Sequence, residues 1–159
     1  MTNLHEEILL VEDDPADAEL TLMAIGKAKL TVNTHVVRDG AEALDFVFCR
    51  GPYAARKFER PPKLILLDLK LPKVSGHQVL RAIKTDPRTR SIPVVVLTSS
   101  AQERDLVECY RSGTNSYVQK PVDLQTFQNA VRDFGMYWLR VNHAPPAAAF
   151  AESDPGAEQ

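Results

Sequence analysis

The sequence predicts an α/β domain built on a doubly wound, five-stranded parallel sheet, and three observations predict it. The runs Ile8-Leu9-Leu10-Val11, Leu64-Ile65-Leu66-Leu67 and Val94-Val95-Val96-Leu97 are continuously apolar rather than alternating, as strands buried on both faces are. Helix-length segments separate them, which suits right-handed crossovers between parallel strands. Each run also stops at residues able to handle phosphate or metal: Glu12-Asp13-Asp14, Asp68 and Thr98, with a shorter segment around Tyr117-Val118 that ends at Lys120-Pro121. Sites in such sheets lie just beyond the carboxyl ends of the strands, so these groups are expected to converge.

The elements follow in order. After the first strand, Asp14-Pro15 supplies an N-cap and a proline at the first helical position, and Ala16 to Lys29 continues with helix formers. Val32 to Val37 is the second strand; Arg38-Asp39-Gly40 turns the chain into helix 2, Ala41 to Arg50. Gly51 to Pro62, with three prolines and the basic residues Arg56, Lys57 and Arg60, has no periodicity and is expected as a solvated surface loop. Beyond the third strand, Leu69 to Val74 is a loop. Ser75-Gly76 opens helix 3, which carries Val79, Leu80 and Ile83 on one side and closes at Asp86-Pro87. Strand 4 leads into helix 4, Gln102 to Ser112, apolar at Leu106, Val107 and Tyr110, with Gly113 past its end. Strand 5 is Ser116 to Gln119. From Asp123, the spacing of Leu124, Phe127, Val131, Phe134 and Trp138 marks one core-facing stripe on a helix 5 that runs to about Arg140. These βα units lead to a flavodoxin-like strand order of 2-1-3-4-5.

A chain of 159 residues suits one well-cored domain. Residues 5–141 are expected to form it, with 142–159, rich in Pro, Ala and acidic residues, as a mobile tail. A net charge of −2 with 25% charged residues of both signs gives no basic surface for nucleic acid or membrane. The polar, acidic start is unlike a signal peptide, and no apolar run approaches the roughly 20 residues of a membrane helix. A cytoplasmic protein is expected. Cys49 and Cys109 lack a CxxC pattern or a nearby His and read as two reduced thiols. His5, His35, His77 and His143 have no ligand spacing and read as solvated or packing residues.

The strand order sets Glu12 and Asp13 beside Asp68. Three carboxylates that close repel one another unless a cation neutralises them. A hard divalent ion with oxygen ligands answers this, Mg²⁺ first, with Mn²⁺ or Ca²⁺ as substitutes. With the charge neutralised, Asp68 is able to attack phosphorus as a nucleophile, Lys120 supplies a fixed positive charge, and Thr98 supplies a hydroxyl to the phosphoryl oxygens.

In Leu10-Val11-Glu12-Asp13-Asp14, Leu66-Leu67-Asp68-Leu69-Lys70-Leu71-Pro72, Ser75-Gly76, Val96-Leu97-Thr98-Ser99, Gly113-Thr114-Asn115-Ser116-Tyr117 and Lys120-Pro121, the chain resembles the receiver domains of two-component response regulators. Taken in order, these fragments make the resemblance specific, and within the family the chain is most similar to the small single-domain regulators that partner bacterial phytochromes and related sensor kinases. Asp14-Pro15-Ala16-Asp17-Ala18-Glu19-Leu20, the long Gly51 to Pro62 segment and the aromatic end of helix 5 carry that narrower likeness. The resemblance implies Asp68 as phosphoacceptor, Asp13 as a direct metal ligand, Glu12 acting through a metal-bound water, and the Lys70 backbone carbonyl as a further ligand. It implies Thr98 and Tyr117 as a switch pair and a cis bond before Pro121 that aims Lys120. The residues that govern attack of water on the phosphoryl group would be Lys70 and Ser100, neither a good base, which implies slow autodephosphorylation.

The implied function is a non-enzymatic switch, phosphorylated by a sensor histidine kinase. An alternative is a Mg²⁺-dependent phosphohydrolase with an Asp nucleophile, which resembles an Asp-x-Asp chemistry; here the position two after Asp68 is Lys70. A flavin-binding flavodoxin would need a phosphate loop where three acids stand. At 100° per residue, Met136 and Tyr137 point away from the helix 5 stripe and Leu139 lies on its flank. All three are expected to be exposed, and to make helix 4, strand 5 and helix 5 a homodimer face.

Overall fold

A computed structural model describes residues 7–30, 32–146 and Ala149. The elements run β1 (Glu7–Val11), α1 (Pro15–Lys27), β2 (Asn33–Val37), α2 (Gly40–Val47), β3 (Leu64–Leu67), α3 (Gly76–Thr85), β4 (Val94–Thr98), α4 (Glu103–Arg111), β5 (Ser116–Gln119) and α5 (Leu124–Met136). Every strand pairing is parallel and the order is β2-β1-β3-β4-β5. This is the flavodoxin-like receiver fold, as the sequence predicts.

Because side chains alternate across a strand, each apolar run feeds two cores. Leu9, Val11, Ile65, Leu67, Val94 and Val96 pack with Phe46 and Val47 of α2, Val79, Leu80 and Ile83 of α3, and Cys109 of α4. Ile8, Leu10, Leu64, Leu66, Val95 and Leu97 pack with Ala18, Ala24 and Ile25 of α1 and Phe127 and Val131 of α5. Continuous apolarity is thus the record of a sheet covered on both sides. In α4 the buried residue is Cys109, while Leu106, Val107 and Tyr110 are exposed.

Short polar side chains start α1, α2, α3 and α5. Asp14 accepts from the N–H groups of Ala16 and Asp17, Asp39 from Glu42, and Asp123 from Thr126. Ser75 and Gln78 form a reciprocal capping box at α3. Gly76 has to be glycine for a steric reason: a Cβ there would fall onto the carbonyl oxygen of Asp68 and the Cα of Leu69. The start of α3 therefore braces the turn that follows β3, and Gly76 N–H donates to Leu69 O at 2.9 Å.

Two expectations are corrected here. The segment after α2 is not a solvated basic loop at Arg56. The Arg56 guanidinium lies 3.6 Å from the centroid of the Phe46 ring and pairs with Glu7 at 2.7 Å. Tyr53, in a 3-10 turn at Gly51–Tyr53, donates to Glu42 Oε2 at 2.7 Å and meets His35 Nε2 at 3.0 Å, while His35 stacks on Phe46. Phe46 gives the loop an aromatic surface to close on, a tertiary contact that local periodicity does not carry. Leu139 is buried, not exposed, at 2%. The α-helix ends at Met136 and a π-helical turn follows, Tyr137–Val141, with Asn142 N–H donating to Tyr137 O at 2.7 Å, an i→i+5 bond. The wider turn breaks the 100° phase, bringing Leu139 into the core and leaving Trp138 half-buried at its margin, while Met136 and Tyr137 stay exposed. Of the expected tail, Ala147, Ala148 and residues 150–159 lie outside the described residues, as do residues 5 and 6 at the other boundary.

Candidate functional site

β1 and β3 are neighbours with Val11 opposite Leu67, so the residues that leave the two strands emerge side by side. One carboxylate oxygen from each of Glu12, Asp13 and Asp68 lies within 4.8 Å of the others. From the far side, Lys120 extends its ammonium to Glu12 Oε1 at 2.5 Å, Asp17 Oδ2 at 3.3 Å and Asp68 Oδ2 at 3.4 Å. Lys120 N–H donates to Thr98 O at 2.7 Å, which ties the end of β5 to the end of β4.

The carboxylates are not equivalent. Glu12 is buried, with Oε1 committed to Lys120 and Oε2 accepting from Asp14 N–H at 3.2 Å. Burial pushes the Glu12 carboxyl up to about 7; the Asp68 charge adds to the rise, while the Lys120 hydrogen bond and charge oppose it. Burial also works against the charge on Lys120, but the Glu12 hydrogen bond and the Asp68, Glu12 and Asp17 charges outweigh it and hold the ammonium above its usual range. Asp13 is exposed. Asp68 is half-buried, and its Oδ1 accepts from Leu69 N–H at 2.7 Å. An all-oxygen donor set with more anionic charge than its single ammonium balances fits a hard divalent cation.

Thr98 is fully buried at the end of β4, and its Oγ1 accepts from Ser100 N–H at 3.3 Å. Tyr117 is half-buried against the core and donates to Ser100 O at 3.2 Å. The Lys70 side chain is exposed in the turn after Asp68. The cis bond expected before Pro121 is corrected: no cis peptide occurs among the described residues. Trans is the intrinsically favoured isomer even before proline, and the Lys120 ammonium reaches Glu12, Asp17 and Asp68 from it.

Two sets of contacts at this end escaped the sequence reading, those of Asp17 and those of Ser100, which was expected only to influence attack of water. Asp17 takes part through Lys120, and its place one turn after Asp13 and Asp14 on α1 could have revealed it. Ser100 touches both Thr98 and Tyr117, and nothing in its local sequence signals that.

The model of the response regulator receiver domain matches residues 8–132, and the chain belongs to that family, whose members are the receivers of two-component signalling. It is 36% identical to the response regulator Rcp1 of Synechocystis sp., over 92% of this chain and 97% of that protein. The Mn²⁺-bound form of Rcp1 superposes with a TM-score of 0.80, covering 88% of this chain and 99% of the other. The phosphorylated cyanobacterial phytochrome response regulator RcpA superposes at 0.82 with 38% identity, over 89% and 99% of the two chains. The bacteriophytochrome response regulator RtBRR is 47% identical with a TM-score of 0.72, over 95% of this chain and 92% of that one. Among the described residues, no helix is long and apolar enough to cross a membrane.

Proposed function

We propose that the chain is a single-domain switch, cytoplasmic and without nucleic-acid partners, that takes a phosphoryl group from the phosphohistidine of a sensor histidine kinase onto Asp68. The observation that carries this reading is the position of Asp68: central in the sheet, half-buried, within reach of the Lys120 ammonium and grouped with Glu12 and Asp13. One Asp68 oxygen attacks phosphorus, the P–N bond breaks, and its electron pair returns to the departing imidazole. Lys120 offsets the charge on the phosphoryl oxygens, and the Thr98 hydroxyl donates to one of them. Mg²⁺ or Mn²⁺, held by Asp13, Asp68, the Lys70 carbonyl and, through water, Glu12, would supply charge neutralisation at the same oxygens. Once phosphorylated, Thr98 and Tyr117 pass the change to the α4, β5 and α5 side.

The likeness to the phytochrome response regulator RcpA and the bacteriophytochrome response regulator RtBRR supports a light-sensing kinase as the donor. Exposed Leu106, Val107 and Tyr110 on α4 and Met136 and Tyr137 at the far end of α5 support a homodimer through that side. Incubation with acetyl phosphate and Mg²⁺ should add one phosphoryl group, stable to acid and labile to base. Undiminished labelling of Asp68→Ala would overturn the assignment.

A further inference from the structure

Ser100 is a hub. Its N–H donates to Thr98 Oγ1 at 3.3 Å, and its carbonyl accepts from Tyr117 OH at 3.2 Å. Its own hydroxyl donates to Asp105 Oδ2 at 2.6 Å and accepts from Gln102 N–H at 3.2 Å. Both residues assigned to the switch are thus held by one residue, and that residue is fastened to α4. Asp105 is fastened in turn, because its second oxygen, Oδ1, lies 3.0 Å from His77 Nε2 on α3.

The chemistry of this chain of contacts is determined. The Ser100 and His77 hydrogen bonds keep the Asp105 carboxyl below its usual range, so it is an ionised, accept-only partner, and His77 must carry its proton on Nε2. The other ring nitrogen, Nδ1, lies 3.8 Å from the Cys109 thiol. Burial pushes that thiol up to about 11, so it retains the proton it would donate. Glu108 Oε2 is also 3.8 Å from Nδ1, and Glu108 meets Arg81 at 3.5 Å. A His spaced with no other ligand is therefore placed to orient a carboxylate.

We propose that His77 and Asp105 are positioning residues for the phosphorylation switch: through Ser100 they hold the Thr98 hydroxyl and the Tyr117 ring in the resting arrangement. The proposal rests on the reading of Asp68, Thr98 and Tyr117 given above. Hydrogen bonds to a charged acceptor are stronger than neutral ones, so this link is able to bias a two-state segment. Phosphorylation then works against a defined restraint, one that reaches from α3 across α4 to the loop after β4.

The test uses the full chain with acetyl phosphate and Mg²⁺, following the labelling rate of Asp68 and the NMR resonances of the Tyr117 ring. His77→Phe, which fills the site but cannot donate, should label faster by about fivefold, the low end of coupling between sites. Asp105→Ala should match it, and the pair combined should do no more than either alone. Ser100→Ala removes only one hydroxyl from a half-buried position and should show the same gain, independent of the effect of the other substitutions on helix packing. His77→Gln, which retains a donor, should return both readouts toward wild type. Wild-type rates and unmoved Tyr117 resonances in His77→Phe, Asp105→Ala and Ser100→Ala, with the wild type labelled on Asp68, would overturn the link alone; so would His77→Gln behaving as His77→Phe. A wild type that labels elsewhere or not at all overturns the underlying site reading, and the link with it.

Discussion

Asp13 and Glu12 are adjacent in sequence and unlike in circumstance. Both Glu12 oxygens are already hydrogen-bonded, to Lys120 and to Asp14 N–H, whereas Asp13 is exposed. A direct ligand also contributes more than one acting through water. Calorimetric titration with Mg²⁺ should therefore show the larger loss of affinity in Asp13→Asn and the smaller in Glu12→Gln; equal losses would contradict the ranking. At the opposite end of the sheet, Lys84 of α3 donates to Arg90 O, Ile92 O and Asn115 Oδ1 at 2.7–3.0 Å. Burial pushes its ammonium down to about 8 from 10.5. Between those values the unfolded chain binds more protons than the folded one, so this group's contribution to stability rises with pH from about 8 and levels off above 10.5. Urea midpoints of wild type and Lys84→Met, compared at pH 7 and pH 10, should move in favour of wild type at the higher pH. A gap that stays constant would show that Lys84 does not titrate there.

At the scale of elements, Gly76 and Leu139 carry the sharpest expectations. Gly76→Ala forces a methyl against the backbone of Asp68 and Leu69; overpacking of this kind costs about 1–3 kcal/mol. Because the strain falls on the turn carrying Asp68, acetyl phosphate labelling should slow in a variant that still folds. Leu139→Ala should lower stability by about 2–3 kcal/mol. Tyr137→Ser, on an exposed residue of the same turn, should stay within about 0.5 kcal/mol. Thermal or chemical denaturation ranks the two. These elements also mark how far the sequence was legible. Strands β1, β3 and β4 and their terminal residues could be read directly, because burial on both faces leaves unbroken apolar runs and the site residues sit where those runs stop. The end of α5 could not, since the phase rule that places Met136 and Tyr137 correctly assumes an unbroken α-helix and fails past the π turn. Arg56 misled for a related reason: what holds it is Phe46 and Glu7, both distant in the chain. The trans bond before Pro121 differs from the expectation because that expectation came from the resemblance alone.

At the scale of the molecule, exposed apolar surface falls in two places: Leu20, Leu22, Met23, Val122 and Leu124 on α1 and around the start of α5, and Leu106, Val107, Tyr110, Met136, Tyr137 and Val141 on α4 and the far end of α5. The first borders the acidic cluster at the carboxyl end of the sheet, and the second stands on α4 and the far end of α5. If that side is a self-association surface, sedimentation should find a dimer for the wild type, and a Met136→Ser/Tyr137→Ser variant should dissociate at concentrations where wild type does not. A dimer indifferent to both substitutions would place the interface elsewhere. Leu139, being buried, belongs to the folding of one chain and should be left out of such tests. The π turn has a further meaning for whatever follows it. A wide turn closed by an i→i+5 bond takes up one residue more than an α turn over about the same rotation, so it acts as a slack loop in the helix: deleting one residue from Tyr137–Val141 would let the turn close to α geometry with the exit of the chain little changed. The heading on which Asn142–Pro146 continue is thus buffered against a one-residue change in chain length, whereas closing the turn with all its residues retained would re-aim the polypeptide.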